Sequence, residues 1–121
     1  MCGLFGWIGQ DRQLASAGMI AAALMDARGG DSWGTYNGEE IQKGLGKIGP
    51  SLHGAMRGWQ YCLGHTRYGT TGKAVIENAH PFHVGDLIGA HNGIVYNHEE
   101  LNRDYGRHCD VDSQHIFLHL Q

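Results

Sequence analysis

The second residue of the chain is a cysteine, and its position gives it two reactive groups if Met1 is removed. Aminopeptidases remove an initiating methionine when the next side chain is small, so the mature chain could begin at Cys2. A terminal cysteine carries a thiol nucleophile and an α-amine, whose ordinary pKa values are about 8.5 and about 7.7–8.0. The amine could therefore serve as the base for its own thiol. Taken alone, a Met-Cys start more often marks an ordinary small residue that opens a strand.

Retention of Met1 would remove this base. The nitrogen of Cys2 would then be a non-basic amide, and the free amine would lie about 3.8 Å further along the chain. A general base works within roughly 2.6–3.2 Å of the proton that it takes. We therefore expect Cys2 to act as a nucleophile only after processing, and a chain that keeps Met1 to have a precursor-like, uncatalytic N-terminus.

Six short segments along the chain carry residue types suited to chemistry, and together they span nearly the whole sequence. In order they are Met1-Cys2-Gly3-Leu4-Phe5-Gly6, Arg28-Gly29-Gly30-Asp31-Ser32, Gly64-His65-Thr66-Arg67-Tyr68-Gly69-Thr70-Thr71-Gly72, Asn78-Ala79-His80-Pro81-Phe82, His91-Asn92-Gly93 and Asp112-Ser113. This series resembles the class II glutamine amidotransferases, whose N-terminal nucleophile hydrolyses glutamine. Six matches in sequence order are far more specific than any one of them.

The resemblance implies a catalytic group of three residues. Cys2 would be the nucleophile, and the side-chain NH2 of Asn92 and the backbone N–H of Gly93 would form the oxyanion hole. Loss of one such donor typically costs about 10²–10³ in rate. An Asn-Gly pair alone is more often a hairpin turn, so this assignment depends on the flanking matches. The reaction would release glutamate and ammonia, and it requires no metal and no organic cofactor.

The resemblance also implies a pocket for a free amino acid. Arg67 can form two parallel hydrogen bonds with the α-carboxylate of glutamine, which a lysine could not reproduce. Asp112 can bind the α-ammonium group, and it is equally suited to cap the helix that follows. Thr70 and His80 would line the pocket, although a structural histidine before Pro81 is an equally good interpretation of His80. Arg28 and Asp31 are expected to support the strand that carries Cys2 (all positions from the sequence).

Some positions depart from the family pattern. Gln114 stands where an acidic residue usually follows Asp112 by two positions, and Trp33 replaces the small residue expected after Asp-Ser. The segment from Arg67 to Gly72, which we call the arginine loop, is closer to the phosphoribosyl members of the family. The segment from Asn92 to His98 is closer to the aminosugar members. The sequence therefore does not assign a subfamily or the acceptor of the ammonia.

Composition and charge narrow the class of protein. The chain has 121 residues, a net charge of −3 with neutral histidines, and nine scattered Lys and Arg residues. A nucleic-acid binder would need a basic stripe, so no nucleic-acid partner is expected. No apolar run approaches the roughly 20 residues of a membrane span, and no secretory signal is visible. The three cysteines lack metal-type spacing and form no disulfide framework, which favours a reducing, cytoplasmic location.

Periodicity and turn signals predict alternating short strands and helices. A Gly-Gly pair ends the first helix, and Asn37-Gly38 is a strong hairpin signal. Asn97-His98-Glu99-Glu100 resembles a capping box. The expected elements are strands over residues 2–9, 33–36, 40–43, 60–66 and 86–91, and helices over residues 13–27, about 50–58 and 113–120.

The family resemblance implies an α+β fold, namely the four-layer αββα sandwich of the N-terminal nucleophile hydrolases. Residues 1–121 would be the N-terminal part of one glutamine amidotransferase type-2 domain, and strands that normally follow the last helix would be missing. A sheet that lacks its outer strands has an edge with unpaired backbone N–H and C=O groups, which can weaken the fold. The isolated chain is therefore expected to have weak or no glutaminase activity, and the full-length parent is expected to be active. The ammonia would pass to a synthase domain or subunit.

Three other interpretations compete with this one. Residues 44–49 formally match the GxGxxG pattern of a dinucleotide site, but Pro50 and the lack of a suitably placed acidic residue argue against it. His80 with His83, or His115 with His119, could belong to a metal-binding module, although no HExxH motif is present. A catalytically silent interaction domain would keep its biological function after Cys2→Ala.

Overall fold

The computed structural model describes residues 1–52, 60–69 and 71–121, with only the backbone considered for residues 12–16. Within these parts the chain is an α+β fold whose sheets are antiparallel, compatible with an α/β sandwich. Thr70 and most of the helix expected at about residues 50–58 lie outside the described residues. The described start of that helix, Gly49–Ser51, is a single 3₁₀ turn.

Four strands form the larger sheet: β1 (Gly3–Ile8), β2 (Ser32–Tyr36), β3 (Ile41–Leu45) and β4 (Tyr61–Arg67), in the spatial order β1-β4-β2-β3. The register pairs Gly3 with Thr66 and Ser32 with Arg67. The start of β1, the end of β4 and the start of β2 therefore meet at one end of the sheet. That end carries three of the six matched segments.

Helix α1 (Arg12–Met25) covers one face of this sheet. The core between them contains Phe5, Ala22, Trp33, Ile48 and Cys62, with Trp7, Met25 and Leu52 packed at its edge. The Thr66 hydroxyl donates a 2.8 Å hydrogen bond to the carbonyl of Met25, at the end of α1. Burial of large apolar side chains against a helix is the main source of stability for a sheet of this size.

The large side chain of Trp33 fits because Gly44, its partner on β3, has no side chain. A Cβ atom on Gly44 would lie 2.6 Å from the indole ring. The departure from the family pattern at Trp33 is thus accommodated locally. The indole Nε1 is buried, however, and has no hydrogen-bond partner within the described part of the chain.

A second, smaller unit follows the first sheet in sequence. Strands β5 (Phe82–Val84) and β6 (Leu87–Gly89) form a hairpin. Two short helices follow, α2 (His98–Asp104) and α3 (Gln114–Leu120), and α3 packs on the hairpin. Phe82, Val111 and Phe117 form its core, with Val84 and Ile116 beside them. The His80–Pro81 peptide, which is cis, lies against the larger sheet: a Cβ atom on Gly34 would be 2.0 Å from the His80 carbonyl oxygen.

Helix α2 (His98–Asp104) begins where the capping box was predicted, but the box is not formed. Asn97 has φ −93° and ψ 24°, and its side chain makes no capping hydrogen bond within the described part of the chain. An N-cap side chain reaches the first turn from an extended backbone, which Asn97 does not have. Its backbone carbonyl accepts from the amide of Leu101 instead, at 2.9 Å.

The other element predictions agree with the structure to within a few residues at each end. Strands β1, β2, β3 and β4, helices α1 and α3 and the Asn37-Gly38 turn are confirmed. The strand expected over 86–91 is shorter, Leu87–Gly89. Its partner strand, Phe82–Val84, was not predicted, because three residues after a proline give no periodic signal.

Candidate active site

Cys2 lies immediately before β1, beside the residue that follows β4. The backbone N–H of Tyr68 donates to Cys2 Sγ at 3.3 Å, and the thiol lies 3.5 Å from the Tyr68 carbonyl oxygen. The Cys2 carbonyl oxygen accepts from two side chains, Asn92 Nδ2 at 2.9 Å and Arg28 Nε at 3.1 Å. Three separate segments of the chain therefore hold this one residue.

A cavity of about 340 Å³ opens beside Cys2. This volume is within the range of about 300–1,000 Å³ that small-molecule sites occupy. Its described lining consists of Met1, Cys2, Tyr68, Asn92, Gly93, Ile94 and Tyr96. The structure thus brings Cys2, Asn92 and Gly93 to the wall of one cavity. No role in the site was predicted for Tyr68, Ile94 or Tyr96.

Arg28 and Asp31 lie near Cys2 as the sequence analysis expected. The Arg28 guanidinium bonds to the Cys2 carbonyl and lies 3.7 Å from the sulfur of Met1. The Asp31 carboxylate accepts from the Gly69 amide at 2.7 Å, and its own amide donates to the Arg67 carbonyl. Asp31 therefore fixes the turn after β4 that contacts the thiol.

Arg67 and Asp112 are both almost fully buried, each 3% exposed, and Thr71 connects them. The Arg67 guanidinium donates to the backbone carbonyls of Thr71 and, at 3.1 Å, Lys73. The Asp112 carboxylate accepts from the Thr71 hydroxyl at 2.9 Å and from the Val95 amide at 2.6 Å. Neither side chain belongs to the described lining of the Cys2 cavity.

The predicted N-cap role of Asp112 is not observed. Helix α3 has Ser113 at its N-cap position, and the Asp112 carboxylate is used on Thr71 and Val95 instead. Both of these partners lie in or beside the matched segments, since Val95 follows Gly93 by two residues and Thr71 belongs to the arginine loop. Asp112 therefore ties the arginine loop to the loop that carries Asn92 and Gly93.

His80 is 3% exposed and is absent from the described lining of the Cys2 cavity. Its ring stacks on His65 with a centroid distance of 4.0 Å, and its Nδ1 accepts from the His91 amide at 3.1 Å. Burial, followed by the nearby charges, lowers the pKa of His80 to about 2 and that of His65 to about 4. Of the two interpretations of His80, this geometry favours the structural histidine. His65 lies within the third matched segment, but no role was predicted for it.

The three thiols differ in accessibility. Cys62 is buried in the core under α1, and burial raises its pKa to about 12. Burial also raises the pKa of Cys109, which is partly buried near α2. Cys2 is the thiol that shares a cavity with Asn92 and Gly93, whereas Cys109 lines a different cavity beside Asn102. A thiolate is the nucleophilic form of cysteine, so Cys62 is poorly suited to covalent chemistry.

The metal-module interpretation gains no support from the described residues. No group of three or more His, Cys, Asp or Glu side chains is arranged there to hold a metal ion. The His115 and His119 rings are 6.4 Å apart, and His80 is buried whereas His83 is exposed.

None of the helices in the described ranges is long and apolar enough to cross a bilayer.

Comparison with known proteins finds relatives that match this chain over almost its whole length. The chain is 33% identical over 140 residues to glutamine–fructose-6-phosphate aminotransferase (isomerizing) of Halobacterium salinarum, covering 99% of this chain and 21% of that protein. It is 35% identical over 137 residues to amidophosphoribosyltransferase of Methanothermobacter thermautotrophicus, covering 98% and 29%. These relatives carry the class II glutamine amidotransferase domain.

The chain belongs to this amidotransferase domain family. A third relative, the glutamine–fructose-6-phosphate aminotransferase (isomerizing) of Aquifex aeolicus, is 37% identical over 116 residues, which cover 86% of this chain and 19% of that protein. The chain thus spans between about a fifth and three tenths of the length of these relatives. No protein-family model matches it.

Proposed function

We propose that this amidotransferase domain hydrolyses glutamine with Cys2 as its nucleophile. The supporting observation is that the Cys2 thiol, Asn92 and Gly93 line one cavity of about 340 Å³, although the two segments are far apart in sequence. The relatives' names describe transfer of an amino group from glutamine to fructose 6-phosphate and an amidophosphoribosyl transfer, and this chain would supply the ammonia for a step of this kind. The acceptor would be bound by another domain or subunit.

The proposed reaction proceeds in two covalent steps. The Cys2 amine, free after removal of Met1, takes the thiol proton, and the thiolate attacks the carboxamide carbon of glutamine. The amine then gives that proton to the departing nitrogen, so that ammonia leaves and a thioester remains. Water attacks the thioester, the thiol is restored, and glutamate is released. In both steps Asn92 and Gly93 would stabilise the oxyanion.

Arg67 and Asp112 would recognise the α-carboxylate and α-ammonium groups. A carboxylate has about four acceptor positions, so two protein donors on Asp112 leave room for an ammonium group. Arg67 offers five N–H donors, several of which are used on the carbonyls of residues 71–73. Binding of a carboxylate would therefore require that loop to exchange one of its carbonyl contacts for the substrate. Thr70 lies outside the described residues and stays a predicted pocket residue.

The fold is consistent with this proposal. Helix α1, the four-stranded sheet, the β5–β6 hairpin and α3 follow one another in a way compatible with a sandwich. We propose that they form layers of an N-terminal nucleophile hydrolase. The cytoplasmic location expected from the cysteine content remains part of the proposal.

Mass spectrometry after treatment with 6-diazo-5-oxo-norleucine tests the proposed nucleophile. This glutamine analogue should form one adduct, on Cys2, in protein whose Met1 has been removed. A matched protein with a non-cleavable tag before Met1 keeps the thiol but not the terminal amine, and it should be labelled far more slowly. Glutamate release by the full-length parent polypeptide, after removal of Met1, provides the second readout. An unmodified Cys2 at saturating reagent, with no glutamate released, would contradict the proposal.

A further inference from the structure

Two buried histidines bind both backbone polar groups of His91, the residue directly before Asn92. The His91 amide donates to His80 Nδ1 at 3.1 Å, and the His91 carbonyl oxygen lies 3.2 Å from His65 Nε2. His65 and His80 are 0% and 3% exposed, and their rings stack with planes only 10° apart. An irregular loop seldom has both of its backbone groups satisfied by buried side chains rather than by water.

These two hydrogen bonds fix the tautomers of both rings. An amide only donates, so His80 Nδ1 must be unprotonated. A carbonyl only accepts, so His65 Nε2 must carry a proton. His80 is therefore neutral and protonated on Nε2. His65 also carries a proton on Nε2, and its complete burial, which lowers its pKa, keeps a second proton off Nδ1. The bare Nδ1 of His65 has no partner among the described residues, as expected for a lone pair rather than an N–H.

The surroundings favour the neutral rings. Arg67 on β4, Lys43 on β3 and His91 on the following loop all place positive or titratable groups near the stacked pair. A proton on either ring would add charge next to these cations without access to water. The pair is thus suited to a fixed structural task and poorly suited to proton transfer.

The side chain of His91 extends the same network to the rest of the site. Its Nδ1 is 3.0 Å from the hydroxyl of Ser113, the residue after Asp112. Its ring also lies against Gly93: a Cβ atom there would be 2.5 Å from Nε2 of His91. His91 is therefore held at its backbone by two histidines, and it contacts both the oxyanion loop and the start of α3.

We infer that His65 and His80 are positioning residues. They hold the backbone amide and carbonyl of His91 and thereby fix the two oxyanion donors, Asn92 and Gly93, with respect to Cys2. The inference rests on the proposed glutaminase function only for its kinetic consequence. Preorganised donors lose much of their effect when they are displaced by about 1 Å, which can cost about 10²-fold in rate. Neither histidine would touch the substrate, so substrate affinity should change little.

Paired substitutions at His80 separate this role from simple filling of space. His80→Asn places an acceptor oxygen where Nδ1 stood, whereas His80→Leu has a similar shape and no acceptor. In the trimmed full-length polypeptide, His80→Leu should lower kcat roughly 10–100-fold and leave KM for glutamine within about twofold. His80→Asn should recover most of that loss. His83→Leu, on the exposed position of β5, is the matched control and should behave as wild type.

His65 is tested with a second pair of variants, which differ in a hydrogen-bond donor because His65 donates to His91 whereas His80 accepts from it. His65→Gln keeps an N–H donor near the position of Nε2, and His65→Met removes it. The glutamine variant should be closer to wild type in kcat than the methionine variant. Equal losses in both members of both pairs, at unchanged secondary structure, would overturn the inference.

Two measurements do not depend on activity, and the first of them needs only the wild-type protein. Histidine ¹⁵N spectra of the wild-type chain should show the Nε2–H tautomer for His65 and His80. Hydrogen exchange of the His91 amide should be about tenfold faster in His80→Leu than in His80→Asn, because a hydrogen bond of ordinary strength protects it. Nδ1–H tautomers, or equal exchange in the two variants, would contradict the inference even if glutamine were hydrolysed. A wild-type protein that shows these tautomers but neither hydrolyses glutamine nor reacts with its analogue would contradict the proposed function alone.

Discussion

The side-chain amide of Asn92 donates a 2.9 Å hydrogen bond to the backbone carbonyl of Cys2, although the two residues are ninety positions apart in sequence. An amide group has two N–H donors, so one can hold the Cys2 backbone while the other is directed to a bound substrate. The residue proposed to stabilise the oxyanion therefore also fixes the residue that would generate it. A change at Asn92 should affect both the geometry and the electrostatics of the reaction.

Asn92→Ala should lower kcat for glutamine hydrolysis by about 10²–10³-fold with a much smaller change in KM, because the lost donor acts mainly in the transition state. Steady-state assays of glutamate release would measure this. Asn97→Ala is a suitable control, since Asn97 is exposed and its side chain makes no capping bond within the described residues. A kcat for Asn92→Ala within about twofold of wild type would remove Asn92 from the oxyanion hole.

Gly93 is expected to tolerate no side chain. A Cβ atom at this position would lie 2.5 Å from Nε2 and 2.8 Å from Cε1 of His91, closer than real Cβ contacts. Gly93→Ala should therefore displace either the Gly93 amide or the His91 ring, and lower kcat without unfolding the protein. Ala90→Gly is the matched control, because it changes the same loop without adding atoms. Gly106→Ala is unsuitable as a control, because Gly106 has a positive φ that a side chain would strain. Normal kcat in Gly93→Ala would show that this contact relaxes without cost.

The three thiols should react with iodoacetamide in a defined order. Cys62 should react last in the folded protein, because it is buried and its pKa is raised to about 12. Cys2 should react first, ahead of Cys109, because both thiols line cavities but burial raises the pKa of Cys109. Peptide mapping after timed alkylation at pH 8 gives the three rates separately, and unfolding in urea should make them similar. Alkylation of Cys62 as fast as Cys2 in the folded chain would contradict the burial of Cys62 under α1.

The sequence predicted those parts of the fold whose signals are local. Strand β1, helix α1 and the Asn37-Gly38 hairpin each follow from periodicity or turn chemistry over a few neighbouring residues. The hairpin partner Phe82–Val84 was missed because three residues give no periodic signal, and because its Phe82 packs on Phe117, about 35 positions away in sequence. The capping box failed because Asn97 has a backbone conformation set by the preceding loop.

The same distinction applies to the candidate site. Family motifs identified Cys2, Asn92 and Gly93, and the structure brings these residues to one cavity. The motifs did not indicate that Thr71 connects Arg67 to Asp112, or that His65 and His80 hold His91. Such contacts join residues from separate loops and strands, and their pairing is fixed only when the sheet and hairpin pack together.

The buried histidine pair should make the protein less stable in mild acid. Burial, with smaller contributions from neighbouring cations, lowers the folded-state pKa of His80 to about 2 and that of His65 to about 4, from 6.5. Below pH 6.5 the unfolded chain therefore binds protons that the folded chain does not, and the free energy of unfolding falls as the pH falls. Each histidine should contribute a loss of about 2 kcal/mol by pH 5, and the full contribution should be present above about pH 7. Urea unfolding at a series of pH values measures this loss.

His80→Asn identifies the source of that pH dependence, because it removes one titrating ring and keeps an acceptor for the His91 amide. The variant should lose about 2 kcal/mol less than wild type between pH 7.5 and pH 5, so that the two stability curves converge in acid. His83→Asn removes an exposed histidine and should leave the wild-type slope unchanged. Carboxylates contribute equally to wild type and both variants, so the difference between the curves isolates the buried ring. Parallel curves for wild type and His80→Asn would mean that His80 accepts a proton in the folded protein as readily as in the unfolded chain, which its burial and its bond from the His91 amide should prevent.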